Sequence, residues 1–398
     1  MLKNHQISSY LHKSTLPTLV NLFNKFAQFS TNKVIWRKDS KLDSAINNDK
    51  VYNLCRKVVK DVVNEPDQVI PLHYLERRRE RLGVSVKIKD FLEEHPGLFD
   101  VYLDEIKPKT ERVPFLRISS SLEKYLEEEK RVKDENEWLI VEKLCKLLLM
   151  SKDKVIVADK LDHMKREFGF PDDFLFNLVP KYKKYFRLVG EPGDMKTVLE
   201  LVSWEDGFEK SVIEKRAEEE ERLMGVPVRP SFNWKLPPGF FIKKEMMEWV
   251  KEWKELPYIS PYADASDLEQ PSPEMEKRTV GVLHEMLSLS LLKRMPVPII
   301  GKVKEEYRFS NRFSTIFTRH SGLFYVSSKG GIQTAVLREA YEKDVLIDSD
   351  PLLVIKDKFV ELLEEGKRNR EKQLKWNKGE VRKDMEMVIG STLELDQL

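Results

Sequence analysis

The sequence predicts a mostly α protein of the α+β class, built from tandem winged-helix-like units that each contain about three helices and a β-hairpin. Two observations support this prediction. An apolar helix, a second helix, a third helix and two short strands follow one another early in the chain, and this order returns twice downstream. Matching residues also recur at equivalent positions of the copies. Gly83 aligns with Gly169. Phe99 aligns with Phe186 and Phe324. Such repetition indicates one structural unit that is used three times.

The first helix of each copy is apolar on almost every side, as expected for a helix that is buried among its neighbours. These helices are predicted at 51–63, 138–150 and 280–292. In copy one, the second helix places Leu72, Leu75 and Leu82 at spacings that share one face. Gly83 is placed to end this helix in a left-handed cap, and Gly169 has the same place in copy two.

After the third helix, each copy has a short β-rich run, a polar or glycine-rich turn and a returning strand. The outgoing strands are predicted at Leu98–Leu103, Tyr185–Val189 and Leu323–Ser327. The returning strands are predicted at Phe115–Ile118, Val198–Val202 and Thr334–Arg338. Three helices followed by a hairpin are typical of a winged helix, with a helix-turn-helix formed by helices two and three. Copy three has Arg308 where a glycine is expected, which leaves its turn geometry open.

The repeat also predicts the boundaries of the domains. Residues 32–341 are expected to form one domain, whose copies span about 50–120, 137–204 and 279–340. An insert at 205–278 interrupts the periodicity between copies two and three. Residues 342–398 are expected to form a charged, helical C-terminal tail.

Residues 1–31 are predicted to be an organellar transit peptide. Lysines, histidines, serines and threonines are frequent there, and no aspartate or glutamate occurs before Asp39. An acid-poor, serine-rich and basic leader is typical of import into an organelle. The absence of arginine before Arg37 also fits a disordered basic tail, which is the alternative. Because the leader is short and its apolar residues suit an amphipathic helix, the mitochondrion is predicted, with the plastid as the alternative.

Composition argues against several classes of protein. The 398 residues include no stretch that approaches the roughly 18 consecutive apolar residues of a membrane helix. The two cysteines lie at matching places in apolar helices and form no disulfide framework. The seven histidines are scattered, without cysteines or carboxylates at zinc spacing. Neither enzyme activity nor a metal or other cofactor is predicted. The net charge of +2 does not show how positive and negative residues are distributed, so only the local charge along the chain is informative about a binding surface.

Several motifs occur in a characteristic order along the chain. The first is VIWRKDSKLDSAI, which starts at Val34, and later ones are RRRERLGV (77–84), HPGLF (95–99), PFLRIS (114–119), LELVSW (199–204), LPYISPY (256–262) and RHSGLFYVSSKG (319–330). Together they resemble the plant organelle RNA recognition (PORR) domain family over about 34–341. The resemblance implies organellar RNA binding and, for several members, splicing of group II introns.

RNA binding requires cations that contact phosphates and flat side chains that stack on unpaired bases. Equivalent parts of the three copies offer such residues. In copy one, the RNA-binding candidates are Arg77, Arg78, Arg79, Arg81 and Lys87. In copy two, they are Lys165, Arg166, Lys181, Tyr182, Lys183 and Lys184. In copy three, they are Lys302, Lys304, Arg308, Arg312 and Arg319. Tyr182 is the stacking candidate among them.

The chain is therefore predicted to be an organellar protein that binds intron RNA and promotes group II intron splicing without catalysing it. Its expected partners are organellar RNA and other splicing factors, but neither a membrane nor a small-molecule substrate. The alternative is a helical scaffold that recruits other RNA-processing or ribosomal proteins through the insert. Trp249 and Trp253 of the insert are predicted to be core residues. Salt distinguishes the two functions, because affinity that depends on phosphate contacts falls steeply with salt.

Overall fold

The computed structural model describes residues 38–47, 49–105, 112–190, 196–236, 244–329 and 331–395. The predicted transit peptide lies outside the described residues. The chain divides into two compact units. The small unit comprises the described residues of 44–139 and 349–395, and the large unit comprises those of 38–43 and 140–348. Copy one lies in the small unit, whereas copy three and nearly all of copy two lie in the large unit.

The helices and strands of the first part of the chain belong mostly to copy one. In order, they are α1 (Ser40–Asn47), α2 (Asp49–Val63), β1 (Val69–Pro71), α3 (Leu72–Leu82), α4 (Ile88–Glu94), β2 (Phe99–Glu105), β3 (Arg112–Ile118) and α5 (Ser120–Glu135).

Copy two, the insert and copy three follow. Copy two contains α6 (Glu137–Met150), β4 (Val155–Val157), α7 (Ala158–Phe168), α8 (Leu178–Lys181), β5 (Phe186–Val189) and β6 (Val198–Leu201). The insert contributes α9 (Val212–Met224) and α10 (Lys244–Glu255). Copy three contains α11 (Pro273–Leu289), β7 (Arg294–Pro296), α12 (Val297–Lys302), α13 (Ser314–Arg319), β8 (Phe324–Ser327) and β9 (Thr334–Leu337). The hairpin of β10 (Tyr341–Glu342) and β11 (Val345–Leu346) and the long helix α14 (Val354–Leu395) complete the chain.

The three copies share one order of elements: helix, strand, helix, helix and two strands. Each copy forms a three-stranded antiparallel sheet in which the last strand lies in the middle. The prediction of a mostly α, mixed α+β protein is confirmed, with about 56% helix. The sequence pattern does not reveal the first strand of each sheet, because three residues are too few to show the alternation of a strand.

The turn after the second helix is the same in all three copies. Gly83, Gly169 and Arg308 occupy equivalent positions, because the amide after each one donates to the carbonyl five residues earlier. Their φ angles are 77°, 79° and 57°. A left-handed conformation favours glycine, which has no Cβ to clash with the backbone. Copy three therefore makes the turn that the sequence left open, with an arginine in the left-handed position.

The predicted alignment of Cys55 with Cys145 is wrong by one helical turn. On the alignment that the turns define, Cys145 corresponds to Val59, and Cys55 corresponds to Val141. The side chains at all four positions are buried, as predicted for core residues. Burial raises the pKa of both thiols to about 12, which makes them poor nucleophiles.

A buried carboxylate joins copies two and three to the insert in the large unit. Glu285 of α11 accepts hydrogen bonds from the amide of Val212 (2.8 Å) and the hydroxyl of Tyr262 (2.7 Å). The ammonium group of Lys146 in α6 lies 3.6 Å from the same carboxylate. Because a buried charge is costly unless it is paired and hydrogen-bonded, these partners must assemble together.

The insert packs on copy three through tryptophans. Trp249 and Trp253 of α10 are only 3% and 1% exposed, which confirms that they are core residues. Their rings lie 5.3 Å and 4.7 Å from the buried ring of His320, measured between centroids. Gly322 allows Trp234 to approach, because a Cβ at this glycine would lie 2.3 Å from the indole ring. The insert is therefore part of the core of the large unit.

The start of the described chain covers one face of the sheet of copy three. The Asp43 carboxylate accepts hydrogen bonds from the hydroxyls of Tyr325 (2.9 Å) and Ser327 (2.5 Å). The Asp39 carboxylate forms an ion pair with Arg338 at 2.9 Å. The motif that starts at Val34 is thus in direct contact with the motif at 319–330, although 282 residues separate Asp43 from Tyr325.

Helix α14 supplies part of the core of the small unit. Phe359 is fully buried, and its ring lies edge-on to the rings of Tyr52 (5.4 Å) and Tyr125 (5.0 Å). Gly366 brings α14 close to the chain after α4, because a Cβ there would lie 2.7 Å from the carbonyl oxygen of Pro96. The first turns of α14, which lie in the segment predicted as a charged tail, are therefore packed.

We expect Gly83→Ala to lower the free energy of unfolding of the small unit by about 1 kcal/mol, because alanine resists the left-handed conformation. An added Cβ at Gly83 has no atom within 4 Å, so the effect isolates backbone strain. Urea denaturation of the full chain would measure it. Gly207→Ala is the matched control, since its Cβ also meets open space and its backbone is not left-handed. Equal destabilisation by both changes would contradict the explanation.

A second buried carboxylate, that of Glu339, holds the insert on copy three. Its oxygens accept hydrogen bonds from the guanidinium group of Arg216 at 2.9 Å and 3.0 Å. Nε2 of His284 lies 2.7 Å from the same carboxylate. Burial opposes ionisation of Glu339, but the hydrogen bonds from His284 and Arg216 outweigh burial and lower its pKa to about 2.

Because the pKa of Glu339 is lower in the folded than in the unfolded chain, its stabilisation is complete above about pH 4.5 and is lost as the pH falls towards 2. Glu339→Gln should lower the free energy of unfolding at pH 7 by about 3 kcal/mol and should flatten this acid dependence. Urea denaturation followed by tryptophan fluorescence between pH 7 and pH 3 measures both effects. Glu219→Gln, which breaks only an exposed ion pair with Arg222, should change little.

Candidate nucleic-acid interface

One basic position recurs in all three copies, and it secures the turn between the second and third helices. Arg79 donates to the carbonyl oxygen six residues later at 3.1 Å. Lys165 donates to the carbonyl oxygen of Asp172 at 3.3 Å and pairs with its carboxylate. Lys304 donates to Oδ1 of Asn311 at 2.7 Å. Three of the predicted RNA-binding cations therefore have a structural contact at the same point of the fold.

Several other predicted cations are held by partners within their own unit. Arg78 pairs with Asp61 and Glu65, and Arg81 pairs with Asp61. The hydrogen bonds from Arg78 to Glu65 and Asp61 raise the pKa of its guanidinium group. Three more side chains contact an acid or a carbonyl oxygen: Lys184 with Glu205, Arg308 with Ala265 and Arg319 with Glu276. The arginine cluster of copy one is thus largely engaged in ion pairs.

Six predicted cations have exposed side chains that, in the described part of the chain, form no hydrogen bond or ion pair. They are Arg77, Lys87, Arg166, Lys183, Lys302 and Arg312. An exposed cation without a carboxylate partner can contact a phosphate without first breaking an ion pair.

Four of the six form two matching pairs. On the alignment of the copies, Arg77 of α3 corresponds to Lys302 of α12. Lys87, just before α4, corresponds to Arg312, which lies just before α13. Copies one and three therefore present the same two charges at the same two places, one on the second helix and one on the following turn.

The packing of the neighbouring residues brings the members of each pair together. In copy one, the carboxylate of Glu76 accepts a hydrogen bond from the amide of Ile88 at 2.7 Å. In copy three, a Cβ at Gly301 would lie 3.8 Å from the ring of Phe313. In both copies, the residue before the helical cation therefore lies near the residue after the turn cation. Each pair occupies one corner of its copy.

Copy two does not have this pair. His163 and Asp173 take the two places, and Nε2 of His163 lies 3.4 Å from the carboxylate of Asp159. The unpaired cations of copy two, Arg166 and Lys183, lie at positions where copies one and three have no cation. An acid on the turn would repel a phosphate, so copy two differs from its neighbours in electrostatic character.

Tyr182, the predicted stacking residue, lies at the end of α8. It aligns with His95 and His320, which end the third helix in the other copies. Its ring is half-buried and lies 5.7 Å from Nζ of Lys181, a further predicted cation. The position of Tyr182 is thus primarily the end of the third helix of copy two.

The aromatic residues next to Arg77 were not predicted from the sequence. The ring of Tyr74 is 45% exposed, and the Arg77 guanidinium group lies 5.7 Å from its centroid. The ring of His73 lies 4.3 Å from that of Tyr74. The spacing of three residues between Tyr74 and Arg77 on a predicted helix is the signal that would have revealed this contact.

Two features of the structure bear on other classes of function. Among the residues that the structure describes, no group of histidine, cysteine, aspartate and glutamate is arranged to hold a metal ion. Within the same residues, no helix has the length and apolar character that crossing a membrane requires.

Comparison with known proteins identifies the family. The model of the plant organelle RNA recognition domain matches residues 37–368, which include all three copies and the insert. The chain belongs to the plant organelle RNA recognition domain family. The match begins next to Asp39 and ends within α14, so it includes the contact between the first and last motifs and the packed turns around Phe359.

Members of the PORR family among curated proteins give three informative similarities. "Protein WHAT'S THIS FACTOR 1 homolog, chloroplastic" of Arabidopsis thaliana is 34% identical over 369 residues, which are 90% of this chain and 67% of that protein. "Protein WHAT'S THIS FACTOR 1, chloroplastic" of Zea mays is 36% identical over 81% of this chain and 65% of that protein. "Protein WHAT'S THIS FACTOR 9, mitochondrial" of Arabidopsis thaliana is 29% identical over 84% of each chain. The chain spans about two thirds of the length of the first two relatives. No solved structure matches.

We expect neighbouring arginines of α3 to differ in their effect on stability. Arg78→Ala should destabilise the small unit by about 1 kcal/mol, because two carboxylates would then have no shared partner. Arg77→Ala should stay within about 0.5 kcal/mol, since its side chain is exposed and unpaired. Urea denaturation of both variants is the measurement. If Arg77→Ala proved the more damaging, the assignment of Arg77 as a free cation would be wrong.

Proposed function

We propose that this protein binds RNA in a plant organelle, that its RNA is intron RNA, and that it promotes group II intron splicing without catalysing it. The family description supports RNA recognition in an organelle. The names of the relatives place them in chloroplasts or mitochondria. For this chain the mitochondrion is the proposed location, on the basis of its basic and acid-free leader, and the plastid is the alternative.

The observation that carries the proposal is the pair of unpaired cations that recurs in copies one and three. Arg77 with Lys87, and Lys302 with Arg312, are exposed at equivalent corners. Structural cations elsewhere in the repeat are satisfied by protein oxygens, whereas these four have no such partner among the residues that the structure describes. Cations that fold stability does not require, repeated at one place in two copies, are suited to phosphate contacts.

We further propose that each copy is a winged-helix-like unit. The order of elements and the three-stranded sheet support this assignment, with the second and third helices as the helix-turn-helix and the last two strands as the wing. In such a unit, each cation pair lies at the helix-turn-helix turn. The major groove of double-stranded RNA is too deep and narrow for side chains, so an exposed turn is better suited to single-stranded or irregular RNA.

The proposed mechanism assigns binding to the protein and chemistry to the RNA. Each cation that contacts a phosphate releases counterions from the RNA, and the entropy of this release favours binding at low salt. If the protein contacts intron segments only in one conformation of the RNA, binding would stabilise that conformation relative to the others. The transesterification steps then belong to the intron.

The alternative function is a scaffold for other proteins, and one observation favours it. At the end of α9, Leu223 and Met224 are 77% and 59% exposed, and only Arg222 separates them from a run of four glutamates. An exposed apolar pair beside acidic residues is suited to a basic protein partner. The apolar part of such docking, made by Leu223 and Met224, would depend far less on salt than phosphate contacts do.

We expect the affinity for a short, labelled single-stranded RNA to depend on the four cations. Arg77→Glu with Lys87→Glu, and Lys302→Glu with Arg312→Glu, should each weaken binding by at least about tenfold at low salt. Each should also lower the slope of log K against log salt by about 0.7 for every phosphate that the variant no longer neutralises. Fluorescence anisotropy over a salt series measures both quantities.

The matched control is Lys124→Glu with Lys251→Glu, which reverses two exposed, unpaired cations outside the pairs, one in each unit. This control should bind RNA like the unaltered chain. Immunoprecipitation from purified mitochondria and plastids, followed by sequencing of the bound RNA, should recover group II introns with the unaltered chain and not with the cation variants. Salt-insensitive capture of proteins without enriched RNA would support the scaffold instead.

A further inference from the structure

The sheet of copy one carries an aromatic pair on one face. Tyr102 of β2 lies directly opposite Phe115 of β3 in the antiparallel register. Their ring centroids are 5.9 Å apart and the ring planes differ by 24°, so the two rings stack. Both side chains are half-buried. The neighbouring Leu116 is fully buried because successive residues of a strand face opposite sides. The aromatic pair therefore lies on the face that does not pack on the core.

A cation extends the stack at its inner end. The guanidinium group of Arg117 lies 5.5 Å from the centroid of Tyr102, and the Arg117 side chain is 60% exposed. Its contact with the carboxylate of Asp100, at 3.5 Å, is loose and leaves other donors of the guanidinium group available. Arginine beside exposed aromatic rings is a combination that serves both base stacking and phosphate contact.

The equivalent faces of the other copies are different. The positions of Tyr102 and Phe115 are taken by Val189 and Val198 in copy two. In copy three they are taken by Ser327 and Thr334, and Ser327 is covered by its hydrogen bond to Asp43. Within the described residues of the three sheets, the aromatic pair at this register belongs to copy one alone. It is not needed to make the fold, since two other copies fold without it.

The aromatic face continues onto α3. Pro71 of β1 lies opposite Phe115 on the other side of β3, and α3 begins at the next residue. The first turn of this helix exposes His73 and Tyr74, whose rings are 4.3 Å apart. Arg77 follows on the same helix, over the ring of Tyr74. Flat side chains and cations thus follow the sheet directly along the chain, as far as Arg77 of the cation pair.

We propose that this surface of copy one, from Arg117 and Tyr102 through Phe115 to Tyr74 and Arg77, stacks unpaired nucleotides of RNA. The inference deepens the proposed RNA binding and rests on it. Aromatic rings accept any base on their faces, so the surface recognises single-stranded character and not a sequence. The carboxylate of Asp104 lies on the same face at the outer part of the hairpin and would repel phosphates. The RNA therefore runs from Tyr102 inwards, towards α3.

The test uses a single-stranded RNA that carries 2-aminopurine, whose fluorescence is quenched when it stacks on an aromatic ring. Tyr102→Leu with Phe115→Leu, and separately Tyr74→Leu, remove the aromatic faces but keep apolar side chains, so that the hairpin and the helix remain folded. Circular dichroism and thermal unfolding verify this. The matched control is Phe176→Leu, which removes an exposed aromatic ring of copy two that lies outside the proposed surface.

We expect each leucine variant to bind RNA more weakly by on the order of tenfold and to show weaker quenching than the unaltered chain, with the salt slope unchanged because every phosphate contact remains. Phe176→Leu should behave like the unaltered chain. Leucine variants that bind and quench like the unaltered chain would overturn the stacking surface while RNA binding stands, and a protein partner would then be the occupant of this face. An unaltered chain without salt-dependent RNA binding would overturn the proposed function itself.

Discussion

The large unit depends on the buried carboxylate of Glu285. It lies on the first helix of copy three, receives hydrogen bonds from the start of α9 and from Tyr262, and faces the ammonium group of Lys146 on the first helix of copy two. Removing one partner from a buried ion pair costs about 3–5 kcal/mol, since the remaining charge stays in the protein interior. Copies two and three and the insert are therefore not independently folding units. The acidic insert, which interrupts the repeat in the sequence, supplies contacts that hold the repeat together.

The same principle explains which positive charges have a structural function. The cation at Arg79, Lys165 and Lys304 recurs because each copy uses it to hold the turn between the second and third helices. Recurrence in a repeat protein is thus ambiguous evidence for function, because an architectural contact recurs as well as a binding contact does. A cation that makes a binding contact is distinguished from an architectural one by an exposed side chain and by having no acidic partner among the described residues. By that criterion, the corners formed by Arg77 with Lys87 and by Lys302 with Arg312 are the proposed sites for phosphate, whereas most of the arginine run of α3 has partners within the fold.

The motifs of the PORR family mark contacts between distant parts of the chain. Asp39 and Asp43 belong to the first motif and bind Tyr325, Ser327 and Arg338 at the end of the domain. Gly322 in the last motif provides space for Trp234 of the insert. These residues close one face of the sheet of copy three and join the insert to it. The corresponding face of copy one carries half-buried aromatic residues, so the copies share a framework but differ in the surface that they present.

The sequence by itself determined the three copies, their helices and hairpins, the glycine turns and the buried tryptophans, because apolar periodicity and glycine placement are local properties that the chain displays directly. It also indicated the family. Only the tertiary structure decided the rest. The first strand of each sheet is too short to show the alternation of a strand. Arg308 adopts a left-handed conformation because the rest of copy three fixes the turn at this position. Which arginines are free depends on acids such as Asp61, which lies 17 residues before Arg78 and is brought to it by the packing of α2 on α3. Pairing of charges across the fold is a property of three-dimensional distance, which spacing along the chain does not encode.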